Sequence, residues 1–476
     1  MDRDDLCFTP ATELARMIQS KDVSAREATD AVLERIEAVE PHINSYVTVC
    51  AEEARRDADA ADAAVQRGDD LGPLHGVPLG VKDLLNTKGV KTTFCSLAYK
   101  DNVPDTDCVA MARLRDAGAI LVGKTTSPEF GHKPMTEAPL FGKTLNPWDS
   151  TLTAGGSSGG AGAAAAAGLA PLHVGTDAGG SIRIPAAACG IVGMKQTLGL
   201  VPHDMNAETF GLFSFIGPMT RTVADAGLML AAMAGPHPSD VHSQARPPAE
   251  DLVKAARGEG DLKDVKIGWR MFLGNDTIDT ETREIFEATL PVFEDLGAEL
   301  VPYEGPFTPT LPIWQPIIFT SFAIRFTELM KQMGDDMTET LRYWTAQGGD
   351  YTAIELQTAM QTRTKVFREV QSWFEDVDMV LTPTITRSAL PVDHDPREPI
   401  EIEGKSLDEP RASWYPYTHP FNMTGHPAIT VPSGWTKAGL PVALQLVGPW
   451  MSDGRLLHAA ACFERARPWA DHRPEF

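Results

Sequence analysis

Apolar and polar positions alternate along the chain in two rhythms. Ala28, Val32, Leu33, Ile36 and Val39 recur at helical spacing and predict a helix with one buried face. Ser24-Ala25-Arg26-Glu27 ahead of them is a capping box, in which the serine and glutamate satisfy orphan backbone donors, and Pro41 is the expected end. Residues 51–67 are alanine-rich and charged, with Gly68 as a C-terminal stop. From Leu71 the pattern shortens to apolar runs between glycines. Residues 77–81, 119–122, 172–174 and 191–194 are expected strands, and residues 161–169 an alanine-rich helix that packs closely on a sheet. Strands alternating with helices predict an α/β core.

Further along, residues 236–265 are polar and proline-rich, as expected of a surface excursion, and residues 266–303 read as strand, helix, strand. Trp314, Ile317, Phe319, Phe322 and Phe326 fall on a helical segment within 311–345, where core packing is the first reading and a pocket wall the second. Residues 379–381, 428–431 and 442–447 read as buried strands. The chain shows no internal repeat, heptad run or low-complexity tail.

Composition narrows the function classes. A chain of 476 residues that is 43% hydrophobic can bury a large core. Its formal charge of −23 opposes nucleic acid and anionic membrane surfaces. No apolar stretch is long enough for a bilayer, and the acidic Met1-Asp2-Arg3-Asp4-Asp5 lacks signal-peptide character, so a cytoplasmic protein is expected. Six cysteines without a Cys-x-x-Cys pair predict reduced, mostly buried thiols. Twelve histidines without ligand spacing predict no metal.

Three glycine-rich matches point away from the chemistry. Gly118 to Thr125 fits the phosphate-loop pattern, but its middle reads as a strand after a helix at 109–116, so its amides would serve sheet pairing. Gly160-Ala161-Gly162-Ala163-Ala164-Ala165 resembles a dinucleotide fingerprint without the preceding strand, and reads as glycine for close helix packing. Gly156-Ser157-Ser158-Gly159-Gly160 fits a nucleophile elbow centred on Ser158, which makes a Ser-His-Asp esterase the main rival, with Asp395, His419 and His426 as candidate partners. That elbow also lacks its strand.

Two serines and a lysine carry the stronger signal. Serine is a weak nucleophile until a base takes its proton, and lysine is that base only when burial keeps it neutral. Lys82 follows the alternating Val77, Leu79 and Val81, which suggests a strand entering a buried site; pairing with adjacent Asp83 is the competing reading. Ser181 follows Ala178-Gly179-Gly180, where backbone N–H groups can converge as in an oxyanion hole; a plain tight turn competes. Ser157 lies in a second glycine-rich loop before the alanine helix, where a helix cap competes.

The block from Gly155 to Lys195 resembles the signature segment of the amidase signature family, the Ser-cisSer-Lys hydrolases. His75 to Asp83, Gly123 to Phe130, Phe141 to Trp148, Gly217 to Val223, Leu381 to Thr384 and Phe421 to Pro432 resemble other family segments in order, so the likeness spans nearly the whole chain; 236–375 and 385–418 match least. The resemblance implies Lys82 as base, Ser157 as relay on a cis peptide and Ser181 as nucleophile. It also implies Ala178, Gly179 and Gly180 with the Ser181 amide as oxyanion donors, Gly131 lining the substrate site, and Ser158, Asp177 and Arg183 in support.

The implied fold is one α/β domain over 1–476 with a large mixed, mainly parallel, twisted sheet surrounded by helices. Within it, 1–70 would be N-terminal helices, 71–235 the signature core, 236–375 the variable pocket region and 376–476 the rest of the core. The implied reaction is hydrolysis of a small amide or carbamate through a seryl acyl-enzyme, with no cofactor and no metal. The alternatives are the Ser158 esterase and a non-catalytic or amidotransferase-type subunit. Ile184, where amidotransferase subunits usually carry glutamine, counts against the last. Trp314, Phe319, Phe322, Trp414, Tyr415 and Phe421 suggest an apolar or aromatic pocket, hence an aryl amide or aryl carbamate (urethane). A homodimer is compatible with this reading.

Overall fold

Eleven strands form one mixed sheet in the computed structural model, which describes residues 3–211, 213–244 and 248–476. From one edge to the other the strands are Tyr46–Val49, Ile120–Thr125, Pro78–Lys82, Leu172–Asp177, Phe215–Thr220, Val192–Lys195, Ala428–Trp435, Pro441–Val447, Met379–Pro383, Lys266–Trp269 and Glu299–Pro302. Helices surround it. Every strand expected from the apolar runs is present, with ends that differ by a few residues at most.

The expected parallel majority is corrected. Of the ten neighbouring pairs, four are parallel and six antiparallel. Two local causes account for it. Ala428–Trp435 and Pro441–Val447 are joined by a turn too short for a crossover, so they form a hairpin. Phe215–Thr220, hidden in the sequence by Gly217 and Pro218, inserts antiparallel between Leu172–Asp177 and Val192–Lys195.

The N-terminal helices follow their signals. Ser24 and Glu27 form both halves of the capping box, and Gly68 ends the helix Ala51–Arg67 in a left-handed conformation. Pro41 does not end its helix. The helix runs Ala25–Ile43, with Asn44 as the left-handed stop, because a proline in the last turn removes only one backbone donor.

The decoy motifs resolve as core structure. Ile120–Thr125 is hydrogen-bonded on both sides by neighbouring strands. Its Lys124 is fully buried and donates to Leu85 O, Thr87 Oγ1 and Thr92 Oγ1 at 2.6–2.8 Å. Gly160, in the first turn of the helix Gly159–Ala166, packs against the residue that follows the same strand, where a Cβ would lie 2.3 Å from Thr126 Oγ1. The six cysteines are all buried and free. Among the described residues, no helix is long and apolar enough to cross a membrane.

This topology places the site. Pro78–Lys82 and Leu172–Asp177, both interior strands, pair in parallel and end together, bringing Lys82 and Thr176-Asp177 to the same carboxyl-terminal rim of the sheet. Open α/β sheets hold their sites at such carboxyl ends. The helix Leu311–Met333 lies over this rim and contributes to the wall of a cavity of 1140 Å³.

Candidate active site

Lys82 is the last residue of its strand and is fully buried. Its Nζ lies 2.7 Å from Ser157 Oγ, 2.9 Å from Ser158 Oγ and 2.9 Å from Thr176 Oγ1. It does not pair with Asp83, because strand alternation sends the two side chains to opposite faces. Asp83 instead accepts hydrogen bonds from the Thr93 hydroxyl and from the Thr93 and Cys95 amides. Burial pushes the Lys82 amine down to about 7, against smaller upward pulls from Cys95 and Asp177. The site therefore holds an amine that is neutral in a large fraction of molecules near pH 7.

A neutral amine has two N–H donors and one lone pair. Ser158 Oγ already accepts from the Thr176 amide at 3.2 Å and donates to the Thr176 carbonyl at 3.2 Å. Its proton is directed at the backbone, so it orients Lys82. Among the described residues no such backbone bond holds Ser157, which leaves its O–H to meet the lone pair. The Gly156–Ser157 peptide is cis, and Ser157 lines the cavity together with Ser181 and Gly131. Gly131 has φ +74, and a Cβ there would meet Leu84 at 2.7 Å and Ser157 Oγ at 3.3 Å.

The Ser158-centred triad is not assembled. His426 Nε2 is bonded to Gln371, Asp395 holds Arg397, and His419 packs against Tyr415. The helix Gly159–Ala166 follows Ser158, and among the described residues no strand leads directly into it, the preceding one being Gly142–Lys143.

The loop before Ser181 is fixed by a buried ion pair. Arg183 Nε meets Asp177 Oδ2 at 3.0 Å, with both side chains fully buried. Arg183 also donates to Thr418 O, Gln445 Oε1 and Asn422 Oδ1. Burial drives the Asp177 carboxyl upward, but the Arg183 guanidinium and the Asn422 amide outweigh it and hold it at about 2. Asp177 then accepts the Gly180 amide at 2.6 Å and the Ile182 amide at 3.2 Å.

One expected oxyanion donor changes as a result. The Gly180 N–H is engaged by Asp177, which leaves the amides of Ala178, Gly179 and Ser181 as the donors without a hydrogen bond among the described residues. Gly180 instead admits a close approach. Its φ is +123, and a Cβ would fall 2.3 Å from Thr418 Oγ1. Gly180→Ala is expected to lower stability by about 2 kcal/mol or more, read as a shift of the urea midpoint.

Thr176, Asn422 and Thr418 are site residues that the sequence does not single out. Period 2 is the signal for Thr176, since it shares a strand face with Val174. Asn422 lies within the family-like segment from Phe421 without a local motif. The aromatic residues divide between two roles. Trp314, Phe322 and Tyr415 line the cavity, whereas Phe319, Trp414 and Phe421 do not and pack in apolar clusters. Phe326, which the helical pattern offered as core or pocket wall, also lines the cavity, and Phe94, Tyr99 and Phe130 extend it into an aromatic wall that the apolar pattern does not foretell.

The Amidase family model matches residues 27–457. The chain belongs to the amidase family. It is 37% identical over 478 residues to an acylamidase of Rhodococcus erythropolis, covering 100% of this chain and 98% of that protein. It is 36% identical over 502 residues to a glutamyl-tRNA(Gln) amidotransferase subunit of Moorella thermoacetica, covering 99% of each. Among solved structures it superposes on a bacterial aryl acylamidase of the amidase signature family with a TM-score of 0.89 at 29% identity, covering 98% of this chain and 97% of that one. This amidase is thus an enzyme that hydrolyses carbon–nitrogen amide bonds on the amidase signature fold.

Proposed function

We propose that this amidase cleaves aryl amides or aryl carbamates through an acyl-enzyme on Ser181. The observation that supports it most is the buried Lys82 amine at 2.7 Å from Ser157, whose hydroxyl shares a cavity with Ser181. In this reading Lys82 takes the Ser157 proton as Ser157 takes that of Ser181. Ser181 Oγ attacks the carbonyl carbon, and the oxyanion rests on the amides of Ala178, Gly179 and Ser181. Collapse breaks the C–N bond, and the relay returns the proton to the departing amine. Water then hydrolyses the acyl-enzyme by the same route, without metal or cofactor.

The substrate class rests on the cavity wall. Phe94, Tyr99, Phe130 and Phe326 form contiguous ring contacts with centroids 4.6–6.2 Å apart, a surface suited to an aromatic ring. Ile184 is 1% exposed on the same cavity and presents no polar group there, which favours this reading over an amidotransferase-type subunit. The test is a panel of aliphatic amides, anilides, aryl carbamates and p-nitrophenyl esters, with the acyl adduct mapped by mass spectrometry. Anilides or aryl carbamates are expected to lead the amide-type substrates by about tenfold or more, with the adduct on Ser181. An adduct on Ser158, or a lead for small aliphatic amides, would refute it.

A further inference from the structure

Arg411 stands apart from every group described above. It is only 5% exposed, yet it lies on the wall of the active-site cavity. Its guanidinium is boxed by three rings, with centroids of Trp344, Phe319 and Trp314 at 4.2, 5.3 and 5.4 Å. The guanidinium's only hydrogen bond among the described residues is a long one, from Nη1 to Glu409 Oε1 at 3.4 Å. A guanidinium has five N–H donors in a rigid fork, and a buried one ordinarily fills them. Arg183, which is fully buried, by contrast meets Asp177, Thr418, Gln445 and Asn422.

The box also links Arg411 to the reacting centre. Trp314 Nε1 donates to Ala178 O at 3.2 Å, and the same indole lies 3.4 Å from where a Cβ on Gly179 would be. Arg411 is therefore one indole ring away from the amides that would hold the oxyanion. Aromatic faces fix a guanidinium plane without consuming its in-plane donors, which is how an arginine is kept ready for a bidentate acceptor.

We infer that Arg411 is a substrate-positioning residue that receives a second planar oxygen acceptor, a carboxylate or carbonyl oxygen, a few bonds from the scissile carbon. This rests on the Ser181 reading and deepens it. The preferred substrates would then be bifunctional amides or carbamates with an acid, ester or second amide group beside the cleaved bond. Simple alkanoyl anilides would bind less productively.

The test compares three 4-nitroanilides of matched acyl length, carrying butanoyl, the monomethyl ester of succinoyl, or free succinoyl. A second set places the acceptor on the leaving group, with acetanilide against 4-acetamidobenzoate and its methyl ester. Wild type is expected to favour an acceptor-bearing member of at least one set by about tenfold or more in kcat/KM. The favoured member separates the two chemistries, carboxylate from neutral carbonyl. Arg411→Met should bring that ratio close to one, chiefly through KM, and Arg411→Lys should leave an intermediate ratio because it keeps the charge and loses the fork. Arg411→Met that lowers every substrate equally, or a wild type with no preference in either set, would overturn the inference. Binding of the same compounds to the Ser181→Ala protein, followed by tryptophan fluorescence, reads the Arg411 contact without turnover. A failed Ser181 mechanism with preserved Arg411-dependent binding is thereby distinguished from the reverse.

Discussion

Ser181→Ala will reduce amide hydrolysis by about 10⁵-fold or more, with the fold retained. The substitution removes one oxygen and leaves the bonds that shape the loop: the Ser181 carbonyl still accepts the Ser158 amide at 3.1 Å, and Asp177 still holds Gly180 and Ile182. The amides to which the proposed mechanism assigns the oxyanion therefore stay in place, while the hydroxyl it assigns to attack is gone. The checks are steady-state hydrolysis of the best anilide and an unchanged thermal transition. Residual turnover within about tenfold of wild type would show that another group attacks.

Lys82→Met is expected to cost about 10³-fold or more in kcat/KM, since a general base contributes roughly 10²–10⁴ and the proposed relay makes Lys82 one unit with two serines. Methionine fills much of the lysine volume but leaves Ser157, Ser158 and Thr176 without their shared partner. The pH profile adds a second reading. A base must be unprotonated to work, and the Lys82 amine is pushed down to about 7. In wild type, kcat/KM should rise with pH through about 7 and then level, and the variant should lack that limb. A rise centred near 10 would mean that the amine titrates as if exposed. This also removes a distinction that the residue types alone suggest. A lysine base would ordinarily titrate far above a histidine, yet burial brings Lys82 into the histidine range, so the pH profile alone does not separate the two. Geometry does: among the described residues no histidine hydrogen-bonds to Ser158, whose side-chain partners are Lys82 and Thr176.

Arg183 illustrates how a support residue gains its effect from tertiary position. Its partner Asp177 lies six residues away, close enough for the sequence to suggest the pair. Thr418, Asn422 and Gln445 come from more than two hundred residues further along the chain. Breaking a buried pair of this kind leaves a charge without compensation.

What the sequence determined by itself was everything that depends on neighbours along the chain. Apolar periodicity marked the strands that end at the site, the Ser24 box and Gly68 marked helix ends, and glycine spacing singled out Lys82, Ser157 and Ser181, which the fold brings to one cavity and its floor. Tertiary structure decided the rest. Phe215–Thr220 is a central strand despite Gly217 and Pro218, because its two neighbours supply the pairing that local propensity does not. The Gly180 amide is taken by Asp177, and the depressed Lys82 amine, the open fork of Arg411 and the division of aromatic residues between core and cavity all depend on which distant groups surround them. Burial and hydrogen-bond partners are properties of three-dimensional neighbourhoods, and one-dimensional spacing carries them only where chain neighbours are also neighbours in space.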